Sequence, residues 1–204
     1  MSLLAPSVVN ELKCWSCARD PEDIFCLTCG ALQPLSLKDY FSYLGLICEF
    51  ELDLELLEKA YLGLQGRVHP DRFVLKSQQE KNYSKEHSSF LNLAYETLKD
   101  PYARGKYLLK ILNNAEDNQG SSQNPALLAF IFEQREKLEE ADSYAEITML
   151  LNNIKEECTI LLKSLAETFK KEDFSKASFE LERLKYFMTF QEEAFLRLND
   201  FEGA

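Results

Sequence analysis

Apolar side chains recur at helical spacing through most of this chain. Tyr40, Phe41, Leu44 and Leu46 make a short first stretch that Gly45 can stop, and Leu57, Ala60, Tyr61, Leu64 and Val68 mark one face of a helix from about Asp53 to Val68. A polar stretch, Lys76 to Lys85, leads into a third helix carrying Phe90, Leu91, Ala94, Tyr95 and Leu98, which Asp100 and Pro101 end. A fourth helix, about Tyr102 to Leu112, presents Arg104, Tyr107, Leu108 and Ile111. Asn113 to Pro125 is filled with Asn, Asp, Gly, Ser and Gln and reads as a linker.

Beyond the linker the pattern is helical throughout. A helix is expected near Ala126 to Glu140. Ile147, Leu150, Leu151, Ile154, Cys158, Leu161, Leu162, Leu165 and Phe169 hold one stripe, and Ala177, Leu181, Leu184, Met188, Phe195 and Leu198 hold another. These three elements predict a bundle. Residues 1 to 35 show no sustained period and cannot bury a core of their own. The pattern therefore predicts an all-α protein divided at 1–35, 36–112, a linker at 113–125, and 126–204. No internal repeat is present, and no strand pattern beyond what short metal knuckles need.

His69, Pro70 and Asp71 stand where the second helix stops. Proline fixes its own φ and pushes the residue before it out of the α region, so His69 should leave the helix. The expected result is an exposed, stiffened imidazole beside a carboxylate, which builds a core poorly and presents a contact well.

Composition adds bounds. With 204 residues, 46% hydrophobic and 12% aromatic, the chain can sustain buried cores. Its 23 Lys and Arg against 34 Asp and Glu give a formal charge of -11, which opposes general binding to nucleic acid or an anionic membrane. No apolar run has bilayer-spanning length, and Met1 to Pro6 lack the charged and apolar regions of a secretory signal. No Arg-rich amphipathic presequence precedes Cys14.

Four cysteines fall in the first segment. Cys14-x-x-Cys17 and Cys26-x-x-Cys29, eight residues apart, suit four tetrahedral sulfur ligands around one zinc ion. Gly30 supplies the permissive backbone such a turn needs. A disulfide framework, a redox-active pair and an iron-sulfur cluster are the alternatives; spacing does not separate zinc from iron. A four-thiolate site has no open position, so its metal is expected to be structural, folding a segment too poor in apolar residues to fold alone. Trp15 is expected to cover it. Cys48 and Cys158 lie among apolar residues and are expected to be buried as small hydrophobes. His87, four residues before Leu91, is expected to be structural. The paired acids Glu139-Glu140 and Glu156-Glu157 suit solvated helix faces, and no His or Ser is spaced for acid-base or nucleophilic work, so no enzyme is predicted.

Ala126 to Phe132 are seven consecutive apolar residues. On a helix they go all the way round, so some must face a partner or a neighbouring domain.

These residues together resemble a known family. Asp39-Tyr40-Phe41 opening a helix, His69-Pro70-Asp71 between two helices, and Asp100-Pro101 with Arg104 are similar to a J-domain, a helical hairpin. The carboxyl-terminal bundle with Glu133-Gln134-Arg135-Glu136-Lys137-Leu138 resembles the HscB family of iron-sulfur co-chaperones, and the cysteine segment resembles the extension on animal mitochondrial members. The resemblance implies a J-domain helical hairpin joined to a three-helix bundle and preceded by a tetracysteine segment holding one structural zinc. It implies that His69, Pro70 and Asp71, with Lys59 and Arg67, bind a DnaK-type chaperone ATPase and stimulate its hydrolysis. It further implies that Leu128, Ala129, Phe132, Glu133, Arg135, Glu136, Lys185 and Tyr186 hold an iron-sulfur scaffold protein of the IscU type. The expected compartment is the mitochondrial matrix in a eukaryote and the cytoplasm in a bacterium, and a homodimer is compatible with the chain. Two other classes stay open: a zinc-containing adaptor without chaperone-stimulating activity, and a thiol oxidoreductase.

Overall fold

The computed structural model describes residues 13–21, 23–36, 39–113 and 125–202. The predicted linker lies almost wholly outside them. The described residues contain seven α-helices, α1 (Tyr40–Leu44), α2 (Leu54–Val68), α3 (Gln78–Lys99), α4 (Pro101–Asn113), α5 (Pro125–Glu140), α6 (Tyr144–Lys170) and α7 (Phe174–Glu202). Extended pairing among them is limited to one antiparallel bridge, Phe25 with Leu32. The class is all-α. No described helix is long and apolar enough to cross a membrane.

The chain forms two compact units, Met1–Leu46 with Glu55–Tyr95, and Ile47–Leu54 with Glu96–Ala204. In the first, the Asp39 carboxylate caps α1 by accepting from the Ser42 N–H at 2.9 Å, and Gly45, at φ 69°, ends it in the left-handed conformation. Leu57 and Val68 of α2 and Leu91 and Ala94 of α3 are fully buried, each large one contributing about 2 kcal/mol of apolar burial. Tyr61 stacks on Tyr95 with ring centroids 4.3 Å apart. The polar stretch from Lys76 to Lys85 is largely helix, because α3 starts at Gln78. Ser77 and Glu80 supply the start signal: the Ser77 Oγ accepts from the Glu80 N–H at 3.2 Å while the Glu80 carboxylate accepts from the Ser77 N–H at 3.4 Å.

His87 is structural, as expected. It is 1% exposed, its Nε2–H donates to the Gln33 carbonyl at 3.0 Å, and its Nδ1 accepts from the Tyr43 hydroxyl at 2.7 Å. Burial holds its pKa below the usual value, against the raising effect of the Gln33 carbonyl, so the ring is a neutral polar joint between the cysteine segment and α1 and α3.

In the second unit α6 and α7 form an antiparallel hairpin. Ser143 caps α6, and α5 and α4 both pack on α7. The α6 stripe is buried at Ile147, Leu151, Ile154, Cys158, Leu161, Leu165 and Phe169. On α7 the expected stripe drifts: Phe195 is 58% exposed, while Phe187, Phe190 and Ala194 are buried. Seven residues on a straight helix turn about 700°, roughly 20° short of two full turns, so the series Leu181, Met188, Phe195 drifts step by step toward the edge of the face that Leu184, Phe187 and Ala194 keep. Cys48 also departs from expectation. It is exposed in the segment joining α1 to α2, whereas Cys158 is buried. Its apolar neighbours in sequence are not in a helix, so periodicity does not place it.

At the α4–α7 crossing Gly105 lets the helices approach. A Cβ there would run well inside van der Waals contact with the Leu181 Cδ2, and Leu181 is 1% exposed. Alanine gains about 1 kcal/mol of helix propensity over glycine, but overpacking a buried contact costs about 1–3 kcal/mol. Gly105→Ala is therefore expected to lower stability by about 1 kcal/mol, read as a fall in the urea midpoint at unchanged helicity.

Candidate functional site

The two cysteine knuckles are built alike. Ala18 N–H donates to Cys14 O and Gly30 N–H to Cys26 O, both at 2.8 Å; Cys14 N–H donates to Arg19 O at 2.7 Å and Cys26 N–H to Ala31 O at 2.9 Å. Each turn closes with a left-handed residue, Ala18 at φ 60° and Gly30 at φ 72°. The four sulfurs lie within 4.8 Å of one another. Across the knuckles Cys14 and Cys29 are 3.7 Å apart and Cys17 and Cys26 are 3.6 Å apart. A tetrahedron of metal–sulfur bonds of about 2.3 Å has edges of about 3.8 Å, so the donor set fits one four-coordinate ion.

Burial raises the Cys14 thiol, but the amides of Cys17 and Ser16 and the Gln33 side chain, at 3.3 Å from the sulfur, outweigh it and leave the pKa at about 6. Cys26 is likewise lowered, first by the Cys29 amide. The Arg19 amide lowers Cys17, but burial and the surrounding sulfurs take it up to about 12. Cys14, the easily ionised sulfur, is only 2% exposed, with Trp15 packed against the cluster and its indole N–H donating to Leu32 O at 2.7 Å. A buried thiolate suits metal ligation and disfavours redox exchange, which needs access to the sulfur.

Only Gly30 of the two left-handed positions announces itself in the sequence, because alanine carries no turn signal. Alanine there is strained by about 1 kcal/mol. Ala18→Gly is expected to tighten metal binding by up to about fivefold in a chelator competition, with a smaller gain if the unfolded chain's added freedom offsets part of the relief.

The His69 corner is held from three sides. α2 ends at Val68, and Pro70–Phe73 form a short 3-10 turn with His69 as its cap. The His69 Nδ1 accepts from the Asp71 N–H at 3.3 Å and lies 3.6 Å from the Asp71 carboxylate. Below, Phe73 is 5% exposed and anchors the turn. Behind, the Val68 carbonyl accepts from the Ser84 hydroxyl at 2.6 Å and from Ser88 at 3.3 Å, which ties the end of α2 to α3. Above, Arg72 donates to Gly66 O at 2.6 Å. The side chains of His69 and Asp71 stay 47% and 88% exposed. Ser84 and Ser88 escape sequence reasoning, since small polar residues one turn apart on a polar helix carry no distinguishing signal.

The two cations expected to flank this corner differ. Lys59 is exposed. Arg67 is paired with Asp23 of the cysteine segment at 2.9 Å, its guanidinium 5.1 Å from the Phe25 ring centroid.

On α5 the inner stripe is Leu127, Phe130, Gln134 and Leu138, with the Phe130 ring 6.0 Å edge-on from Phe187 of α7. Leu128, Ala129, Phe132, Glu133, Arg135 and Glu136 face outward; Leu128 is 44% and Phe132 72% exposed. Arg135 makes a forked ion pair with Glu193 at 2.7 and 3.1 Å, and Glu133 pairs with Lys137 at 2.6 Å. Tyr186 is half-buried on α7, and Lys185 is turned toward α4, its ammonium 5.9 Å from the Tyr102 ring centroid.

Residues 123–194 match the family model of the HSCB C-terminal oligomerisation domain. The iron-sulfur cluster co-chaperone protein HscB of Mus musculus is 35% identical over 191 residues, 89% of this chain and 80% of the relative. The chain belongs to the HscB co-chaperone family. The Homo sapiens HscB is 33% identical over 195 residues, 92% of this chain and 83% of its own length. In three dimensions the crystal structure of human HscB superposes with a TM-score of 0.83 at 35% identity, covering 91% of this chain and 98% of the human one. HscB from Vibrio cholerae gives 0.73 at 30% identity, covering 80% and 98%. The HscB co-chaperones are a family that acts in iron-sulfur cluster assembly.

Proposed function

We propose that this HscB family member stimulates the ATPase of a DnaK-type chaperone and delivers an IscU-type scaffold protein to it. The observation that carries the reading is the His69-Pro70-Asp71 corner, rigid in its backbone and exposed in its side chains, with Lys59 and Arg67 leading to it on α2. The outward face of α5, Leu128, Ala129, Phe132, Glu133, Arg135 and Glu136, with Lys185 and Tyr186 on α7, holds the scaffold protein. Four thiols converging on one tetrahedral point hold a single structural zinc. In this reading the segment 1–35 is the zinc-binding segment, the J-domain, 36–112, addresses the chaperone, and the bundle, 126–204, addresses the client across the linker at 113–125. The chain performs no chemistry itself, and it works in the mitochondrial matrix of a eukaryote or the cytoplasm of a bacterium.

The test is steady-state ATP turnover by the cognate DnaK-type chaperone. Added chain is expected to raise it, and unchanged turnover at saturating chain sinks the reading. The Arg67–Asp23 pair favours one second reading, an adaptor that captures partners without stimulating the chaperone, because it uses a cation that chaperone contact would draw on.

A further inference from the structure

We propose that the tetracysteine segment forms one wall of the chaperone-docking cleft, and that this cleft takes an acidic, apolar-flanked peptide segment of the chaperone ATPase. The inference rests on the chaperone reading and gives the cysteine segment a part in it.

A shallow cleft of about 420 Å³ opens beside the His69 corner. Phe25 and Gly30 of the second knuckle line one side; Arg67, Arg72 and Lys76 line the other. The wall is fixed in place. Asp23 holds Arg67 at 2.9 Å, Phe25 lies under the guanidinium, and the Phe25–Leu32 bridge ties that strand to the knuckle. Trp15 meets Tyr83 of α3 edge-on at 6.1 Å, and Gln33 accepts from His87, so the segment is docked at several points.

Charge then selects the occupant. The protein carries -11 overall, yet here Arg72 and Lys76 have no carboxylate partner among the described residues. The one acid lining the cleft, Glu80, is committed to capping α3 through Ser77. Two uncompensated cations on an acidic protein attract a negative segment and disfavour a basic one. Next to Lys76, Val74 and Leu75 are 61% and 98% exposed, and an apolar surface of this kind beside fixed cations suits a peptide that pairs acidic with aliphatic side chains. The cleft is continuous with the His69 corner through Arg72 and Phe73, so one bound segment spans both.

The experiment measures affinity of the full-length, metal-loaded chain for the cognate DnaK-type chaperone at two salt concentrations. Lys76→Glu is exposed and makes no side-chain contact that folding needs, so it isolates the charge; Phe25→Ala isolates the wall, with metal content measured in parallel. Each is expected to weaken binding about tenfold, and Lys76→Glu to flatten the salt dependence. Lys155→Glu on α6 makes the same change of charge elsewhere and is expected to bind as wild type does. Wild-type affinity for both Lys76→Glu and Phe25→Ala, in a chain that does stimulate the chaperone, overturns the cleft alone. An equal loss with Lys155→Glu also overturns it, since net charge would then explain the effect. A wild-type chain that neither binds nor stimulates brings down the chaperone reading itself.

Discussion

Replacing His69 by glutamine is expected to remove chaperone stimulation while leaving helix content intact. The imidazole is half exposed and packs into no core, so the loss of stability should stay within about 0.5 kcal/mol, as for other surface substitutions. Its role is directional. With Nδ1 accepting the Asp71 N–H, the opposite nitrogen carries the proton and points a rigid donor outward, while Asp71, 88% exposed, offers an acceptor beside it. Glutamine can mimic one hydrogen bond but not the planar ring that fixes both, and its extra torsions cost entropy on docking. Stimulation is expected to fall at least about tenfold, equivalent to roughly 1.4 kcal/mol of lost coupling. Turnover assays beside circular dichroism melts check it. Retained stimulation by a folded His69→Gln chain would remove His69 from the mechanism.

The second large effect belongs to α5. Leu128→Ala with Phe132→Ala removes two side chains that contribute little to the fold, being 44% and 72% exposed, and alanine is the better helix former. Stability should hold or rise slightly. Scaffold binding should not, because truncating a large apolar side chain at the centre of an interface costs about 2 kcal/mol or more. The pair together should weaken binding by about 100-fold or more, measured by calorimetry with the purified scaffold protein. Phe130→Ala is the informative contrast. Its ring packs on Phe187, so it should lower stability first.

Much of this was legible in residue order, for identifiable reasons. Helix ends at Gly45, Val68 and Asp100 follow from a left-handed cap, a following proline and an N-cap, all local effects that one sequence displays. The paired Cys-x-x-Cys motifs are legible because tetrahedral sulfur ligation constrains spacing. What escaped was non-local or chemically silent. Arg67 reads as a free cation on α2 until folding brings Asp23, 44 residues away, against it. Ser84 and Ser88 matter only because they meet the Val68 carbonyl, and Ala18 takes a left-handed turn that alanine does not advertise. Cys48 sits in an irregular segment, where apolar neighbours in sequence do not imply burial. Phe195 shows the limit of a stripe extended by sevens along a straight helix.

The central claim is that one chain addresses chaperone and scaffold protein through separate surfaces. Single-turnover ATP hydrolysis by the DnaK-type chaperone, with and without scaffold protein, tests it most directly when wild type is compared with the Leu128→Ala, Phe132→Ala chain. The account predicts that the variant keeps the scaffold-free stimulation of wild type and loses the further increment that scaffold protein adds. An increment as large as that of wild type would contradict it.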